Sequence, residues 1–170
     1  MNYSRALKRV GAFALLLVVA SFALQAFPGL VGADYAFTVL SGSMEPAIGT
    51  GSVVFVAEVP ADQVQEQDVI TYRDDGGYLI THRVIEKHQA DDSLRFVTKG
   101  DANDAPDGEP VYRGDLVGTV LFSIPFIGYV VAFGNTTAGY LILVLLPVML
   151  FIFNEIWELW RAGTRKEEHS

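Results

Sequence analysis

Ser41 and Ser43 stand in a run of small residues, "VLSGSMEPAIGTGSVVFV" from Val39 to Val56, of the kind in which a serine can serve as a nucleophile. That chemistry needs an exposed hydroxyl on a constrained backbone, slim neighbours that let a peptide approach, and donors aimed at a developing oxyanion. Gly42 lets the chain turn beside Ser43, a backbone amide near Ser43 could donate to the oxyanion, and Met44 and Pro46 can form an apolar wall. An ordinary loop with average Ser and Gly content has the same composition, so the partners of the serine must decide.

The chain offers three histidines as a base: His82, His88 and His169. Within "YLITHRVIEKH", strand alternation puts Ile80, His82 and Val84 on one face and Thr81, Arg83 and Ile85 on the other. His82 therefore reads equally as a hydrogen-bonded core histidine or as a base held between two aliphatic neighbours. His88 falls near the strand end and faces solvent, and His169 lies in the C-terminal tail. Lys99 is a rival base, because a buried lysine can also activate a serine, but its place beside Gly100-Asp101 suits a lysine paired to a carboxylate.

An orienting carboxylate is available from "TKGDANDAPDGE", which carries Asp101, Asp104 and Asp107. An acid that accepts a hydrogen bond from imidazole fixes its tautomer and stabilises the imidazolium. Acidic loops are also commonly just solvated. A calcium loop is the competing chemistry, and it fails on detail: Pro106 takes the place of the glycine such a loop needs, and Tyr112 that of its bidentate acid. Zinc is poorer still with no cysteine and few histidines, so no metal is expected.

These residues must be positioned by elements, and composition restricts which. The 170 residues are 51% hydrophobic with a mean hydropathy of +0.31, which is high for a soluble domain and points to membrane segments around one small domain. A formal charge of -8, with the acid excess between Asp34 and Asp115, argues against nucleic acid as a partner, since phosphate binding needs clustered Lys and Arg. Without cysteine, the domain must hold together by its core alone.

Residues 10–27 carry no charge and are long enough for a transmembrane helix, and Arg5, Lys8 and Arg9 before them place residues 1–9 in the cytoplasm. Val31-Gly32-Ala33 could be a processing site, but the apolar run exceeds a usual signal core and Phe27-Pro28-Gly29 reads as the end of a helix, so an uncleaved anchor is expected. No charge or histidine occurs from Leu116 through Asn154, and Gly134-Asn135-Thr136-Thr137 is the natural break in that stretch. A second transmembrane helix is expected over 138–156, followed by a cytoplasmic tail over 157–170 with Arg161, Arg165 and Lys166. Trp157 and Trp160 would then lie at the inner interface. Leu116 to Phe133 is expected as a buried strand followed by an apolar loop resting on the membrane surface.

Between the anchors, residues 31–133 are expected to form an extracytoplasmic β domain. "SVVFVAEV", "DVITYR", "YLITHRVIEKH" and "LRFVTKG" read as strands, with Asp74-Asp75-Gly76-Gly77 and Asp91-Asp92-Ser93 as hairpin turns. The fold class is thus mainly β, a small β domain flanked by N- and C-terminal transmembrane helices.

"SGSMEP", "ITHRVI", "TKGDANDAPD" and "GTVLFSIPFIGYV", in this order between membrane segments, together resemble the type I signal peptidases of the archaeal and endoplasmic-reticulum kind, the Sec11-like branch. The resemblance runs from the first anchor to about Phe133. It implies that Ser43 is the nucleophile, His82 the general base and Asp107 the orienting acid, with Asp101 supporting the site and Ser41 assisting the oxyanion hole. Ala102, Asp104 and Pro106 depart from the eukaryotic pattern, which leaves the choice between Asp101 and Asp107 open. The implied reaction is removal of signal peptides from exported preproteins by a membrane serine endopeptidase without cofactor or metal. The implied partners are those signal peptides, the lipid bilayer and, as a candidate, the protein-export translocon. Two other readings remain open on the residues: a non-catalytic membrane-anchored β module that binds exported chains, and a regulatory membrane protease with a Ser-Lys dyad through Lys99.

Overall fold

The hairpin at Asp74-Asp75-Gly76-Gly77 shows how the sequence folds locally. Gly77 takes φ 80, its amide bonds to the Asp74 carbonyl at 2.8 Å, and the Asp74 carboxylate accepts from the Tyr78 amide at 2.7 Å. A left-handed residue and an Asx bond together close the turn. It joins β3 (Val69–Arg73) to β4 (Leu79–Ala90), paired antiparallel with Ile70 opposite His82 and Tyr72 opposite Ile80.

This hairpin is the middle of a computed structural model that describes residues 3–90, 93–145, 147–149, 152, 153, 156 and 157. The remaining strands are β1 (Tyr35–Thr38), β2 (Val53–Ala57), β5 (Ser93–Lys99), β6 (Val111–Tyr112) and β7 (Leu116–Ile124). They form one seven-stranded antiparallel sheet in the order β1-β2-β7-β3-β4-β5-β6. The fold is mainly β, as expected, and all four anticipated runs are strands. The first two residues of the expected turn at Asp91-Asp92-Ser93 lie outside the described residues. "ADQVQEQD" supplies only a 3-10 turn at Ala61–Gln63.

Alternation sets the core. In β5, Leu94, Phe96 and Thr98 point inward, and in β4 His82 and Val84 are buried while Thr81, Arg83 and Ile85 are half-buried. Ile70, Tyr72, Val84, Phe96 and Val111 form one apolar cluster. Met44, Ile48, Val54 and Val56 form a second beneath the Ser43 turn.

The segment from Leu116 to Phe133 departs from expectation. β7 lies within the sheet, but Gly118 is its one buried residue, and Leu121 and Phe122 are exposed. Pairing with β2 and β3 satisfies the strand's backbone without requiring its side chains to be covered. The expected apolar loop is instead a helix, α2 (Ile127–Gly134): Gly128 falls in its first turn, where a glycine is tolerated, and Tyr129 to Phe133 contain no Gly or Pro that would stop it. The break at Gly134-Asn135-Thr136-Thr137 is present: a short helix begins at Thr137, and the Thr136 hydroxyl caps it by accepting from the Gly139 amide at 2.9 Å.

The chain divides into two units, Phe22–Tyr129 with the whole sheet, and the outer segments Met1–Ser21 and Val130–Ser170. The N-terminal helix runs Tyr3–Ala26 and the apolar part of it is Gly11–Ala26. Among the described residues no single helix is long and apolar enough to cross a membrane; Ile127–Gly134 and Thr137–Met149 reach that length together, with a bend of 100°. Trp160, Arg161, Arg165, Lys166 and His169 lie outside the described residues.

Candidate active site

The Ser43 turn is fixed from below and from the side. Met44 is only 2% exposed, seated among Ile48, Val54 and Val56, so it is a core anchor and not the cleft wall expected of it. With one side chain buried beneath the turn, the neighbouring Ser43 is left half-exposed. The amide of Glu45 bonds to the Gly42 carbonyl at 3.0 Å and that of Ile48 to the Met44 carbonyl at 2.8 Å, which hold the turn's shape. From the side, the Ala102 amide donates to the Ser43 carbonyl at 2.9 Å. A Cβ on Gly100 would stand 2.6 Å from that same carbonyl oxygen, so only glycine permits the acidic loop to approach this closely.

His82 comes from β4, 8% exposed on the inward face it shares with Ile80 and Val84. Its Nε2 lies 3.0 Å from Ser43 Oγ and its Nδ1 2.7 Å from Asp107 Oδ2. A carboxylate oxygen only accepts, so Nδ1 carries the proton and Nε2 is left to accept from the Ser43 hydroxyl. The three side chains, far apart in sequence, are thereby brought into one line of hydrogen bonds.

Asp107 is itself held. Its amide donates to the Thr98 carbonyl at 2.8 Å, and its Oδ2 accepts from the Thr98 hydroxyl at 2.6 Å and the Tyr72 hydroxyl at 3.0 Å. Tyr72 and Thr98 sit on β3 and β5, the two neighbours of β4, so the strand that carries His82 is flanked by the strands that carry these hydroxyls. Burial, together with the negative charge of Asp107, pushes the Tyr72 phenol up to about 12.

The other acids go elsewhere. Asp101 forms a two-pronged pair with Arg83, 2.8 Å from Nε and 2.7 Å from Nη2, and Arg83 Nη1 also donates to the Gln67 carbonyl at 2.8 Å. The guanidinium hydrogen bonds hold the Asp101 carboxyl below its usual range, and the same bonds raise Arg83. Asp104 is exposed. Ser41 Oγ lies 3.3 Å from Ser43 Oγ. His88 is exposed and bonds Glu86 at 2.8 Å. Among the described residues Lys99 makes no hydrogen bond to Ser43; it lines a groove of about 540 Å³ with Pro46, Ala47, Arg83, Ile85 and Asp101.

Tyr72, Thr98 and Arg83 do not stand out from the sequence as site residues. A signal exists for the first two, since alternation in "DVITYR" puts Tyr72 with Ile70 and alternation in "LRFVTKG" puts Thr98 with Leu94 and Phe96. A hydroxyl at an inward position needs a partner.

No family model matches the chain. Among curated proteins it is similar to "Signal peptidase I W" of Bacillus subtilis (strain 168), 45% identical over 75 residues, covering 44% of this chain and 40% of that one. It is 42% identical over 103 residues to "Signal peptidase complex catalytic subunit SEC11" of Candida dubliniensis, covering 54% and 60%. It is 31% identical over 131 residues to "Signal peptidase complex catalytic subunit SEC11C" of Canis lupus familiaris, covering 69% and 68%. The chain thus spans less than two thirds of the length of the first two relatives.

Proposed function

This chain belongs to the type I signal peptidases, in their Sec11 branch, and from that premise we propose that it is a membrane serine endopeptidase that removes signal peptides from exported preproteins. The observation that carries the reading is the continuous line from Ser43 Oγ through both imidazole nitrogens of His82 to Asp107 Oδ2, at 3.0 and 2.7 Å.

In this reading Ser43 Oγ attacks the carbonyl carbon of the signal peptide's last residue while His82 Nε2 takes the hydroxyl proton. The tetrahedral oxyanion is met by donors near Ser43, among them the Ser41 hydroxyl, which stands beside the attacking oxygen. Collapse breaks the C–N bond, His82 returns its proton to the departing amine of the mature protein, and the signal peptide remains as an ester on Ser43. Water then attacks with His82 again as base, freeing the peptide's carboxylate and restoring the hydroxyl. Asp107 keeps the proton on Nδ1 and stabilises the imidazolium. Asp101 supports the site indirectly: locked to Arg83, the residue after His82, it ties the start of the acidic loop to β4.

The proposed setting is a bilayer, with anchors over 10–27 and 138–156, both termini cytoplasmic and the domain over 31–133 outside. It is supported by the outward-facing Phe13, Leu16, Leu17 and Val19 in the first segment and Ile142 and Met149 in the second. The substrate's own apolar helix would lie in the same membrane.

The test is cleavage of a preprotein by membranes containing the wild-type chain beside Ser43→Ala, His82→Ala and Asp107→Ala. Release of the mature protein by wild type, with none from Ser43→Ala or His82→Ala, is expected. Cleavage by Ser43→Ala at the wild-type rate would sink the assignment and favour a binding module with an idle serine.

A further inference from the structure

We propose that Tyr72 and Thr98 are positioning residues for the reaction, two hydroxyls that clamp one oxygen of Asp107 and thereby set how firmly Asp107 holds the His82 imidazolium. The proposal rests on the catalytic reading of Ser43, His82 and Asp107 above.

Three hydrogens converge on Asp107 Oδ2: from His82 Nδ1 at 2.7 Å, Thr98 Oγ1 at 2.6 Å and Tyr72 OH at 3.0 Å. Thr98 Oγ1 also stands 3.3 Å from Tyr72 OH, but it has a single hydrogen, and the nearer, charged acceptor takes it. That leaves the Tyr72 hydrogen for Asp107 as well. Three donors aimed at one oxygen bond a carboxylate more strongly than a neutral carboxyl, and a bond donated by Nδ1 requires the tautomer that leaves Nε2 free to accept. Tyr72 is 5% exposed and Thr98 fully buried, so both residues are largely withdrawn from bulk water. The phenol, raised by burial, keeps its proton across the working range and stays a donor.

The two clamps divide one charge three ways. A carboxylate whose charge is shared among three donors grips the imidazolium less tightly than one bonded to imidazole alone, and its direction is fixed by two strands instead of by one loop. Asp101 from the loop interacts electrostatically with His82 and is itself faced by Arg83 from β4 and Lys99 from the end of β5, Asp74 acts on Tyr72, and Arg73, Asp75, Glu109, Tyr112 and Asp115 line the groove that Tyr72 and Asp107 share. All of these remain in place when a hydroxyl is removed.

The experiment measures cleavage of a preprotein by the full chain in membranes over a range of pH, for wild type, Tyr72→Phe, Thr98→Val, Thr98→Ser and Ser43→Ala. Tyr72→Phe and Thr98→Val are expected to lower kcat about tenfold each with KM within about twofold, because Asp107, and with it the His82 ring, loses a bond that fixes its direction while no contact to substrate is lost. The acid limb of the profile should move to higher pH by about half a unit, since the imidazolium is then held more firmly and gives way to the neutral base later. Thr98→Ser should restore both readings. Tyr72→Phe keeps the ring and Thr98→Val the shape, so either alone carries the test should the other fail to fold. If kcat and the acid limb stay at wild-type values in both while Ser43→Ala is inactive, the clamp is refuted and the catalytic reading survives. If Thr98→Ser is as impaired as Thr98→Val, the loss comes from packing and the clamp is likewise refuted. Activity in Ser43→Ala would overturn the catalytic reading and this proposal together.

Discussion

Two aspartates six residues apart in one loop do different work because of what they face. Asp107 meets an imidazole and two hydroxyls, and Asp101 a guanidinium fork. Asp107→Asn should therefore lower kcat on the order of 10³- to 10⁴-fold, because an amide in its place can hold the wrong tautomer, while KM and the thermal midpoint change little. Steady-state cleavage with a melting curve checks this, and a loss confined to KM would contradict it. Asp101→Asn should act on stability first, by about 1 kcal/mol at neutral pH, since the pair is only partly buried. The folded carboxyl lies below its ordinary value, so the pair's contribution is present above the unfolded carboxyl's range and lost as pH falls through the folded one. Melting curves of wild type and Asp101→Asn should accordingly differ at pH 7 and converge in strong acid. A constant gap at both would show that the pair does not supply the difference.

At the scale of elements, the contact between the acidic loop and the Ser43 turn joins two segments that no strand pairing connects. It depends on Gly100, where a methyl group would press on the Ser43 carbonyl at 2.6 Å. Gly100→Ala should push the loop away, with a loss of about 1–3 kcal/mol in stability and a larger relative loss of cleavage, read by melting and activity on the same preparation. Unchanged activity would mean the turn holds Ser43 without the loop. What is legible in the sequence follows the same division. β4 and its inward His82 can be read because a strand with one buried face alternates with period two, and the β3–β4 turn because its glycines and Asx bond are local. β1 and β6 cannot, being four and two residues with no turn signal of their own. The choice between Asp101 and Asp107 depends on the path of a loop and on Arg83 lying across from it, neither of which has a period. Met44 reads as a wall from its neighbours alone, because burial of one turn residue is a property of β2 beneath it.

At the scale of the whole molecule, the question is why a small β domain should carry so much apolar sequence at both ends. In the proposed setting the enzyme and its substrate's signal helix share one bilayer, so encounter is governed by surface density and not by bulk volume. A bulk protease meets a dilute preprotein at a rate set by both concentrations, whereas two membrane-held partners keep their mutual concentration when the suspension is diluted. Co-reconstituting the full chain and a preprotein in the same vesicles, then diluting the suspension about tenfold, should leave the fraction cleaved per unit time unchanged. The same pair in separate vesicles should be cleaved poorly, and in detergent micelles the rate should fall with dilution. If cleavage in shared vesicles falls as steeply as in detergent, the partners meet through the aqueous phase. The apolar ends would then need a reason other than proximity, and the topology proposed for 10–27 and 138–156 would lose its functional argument.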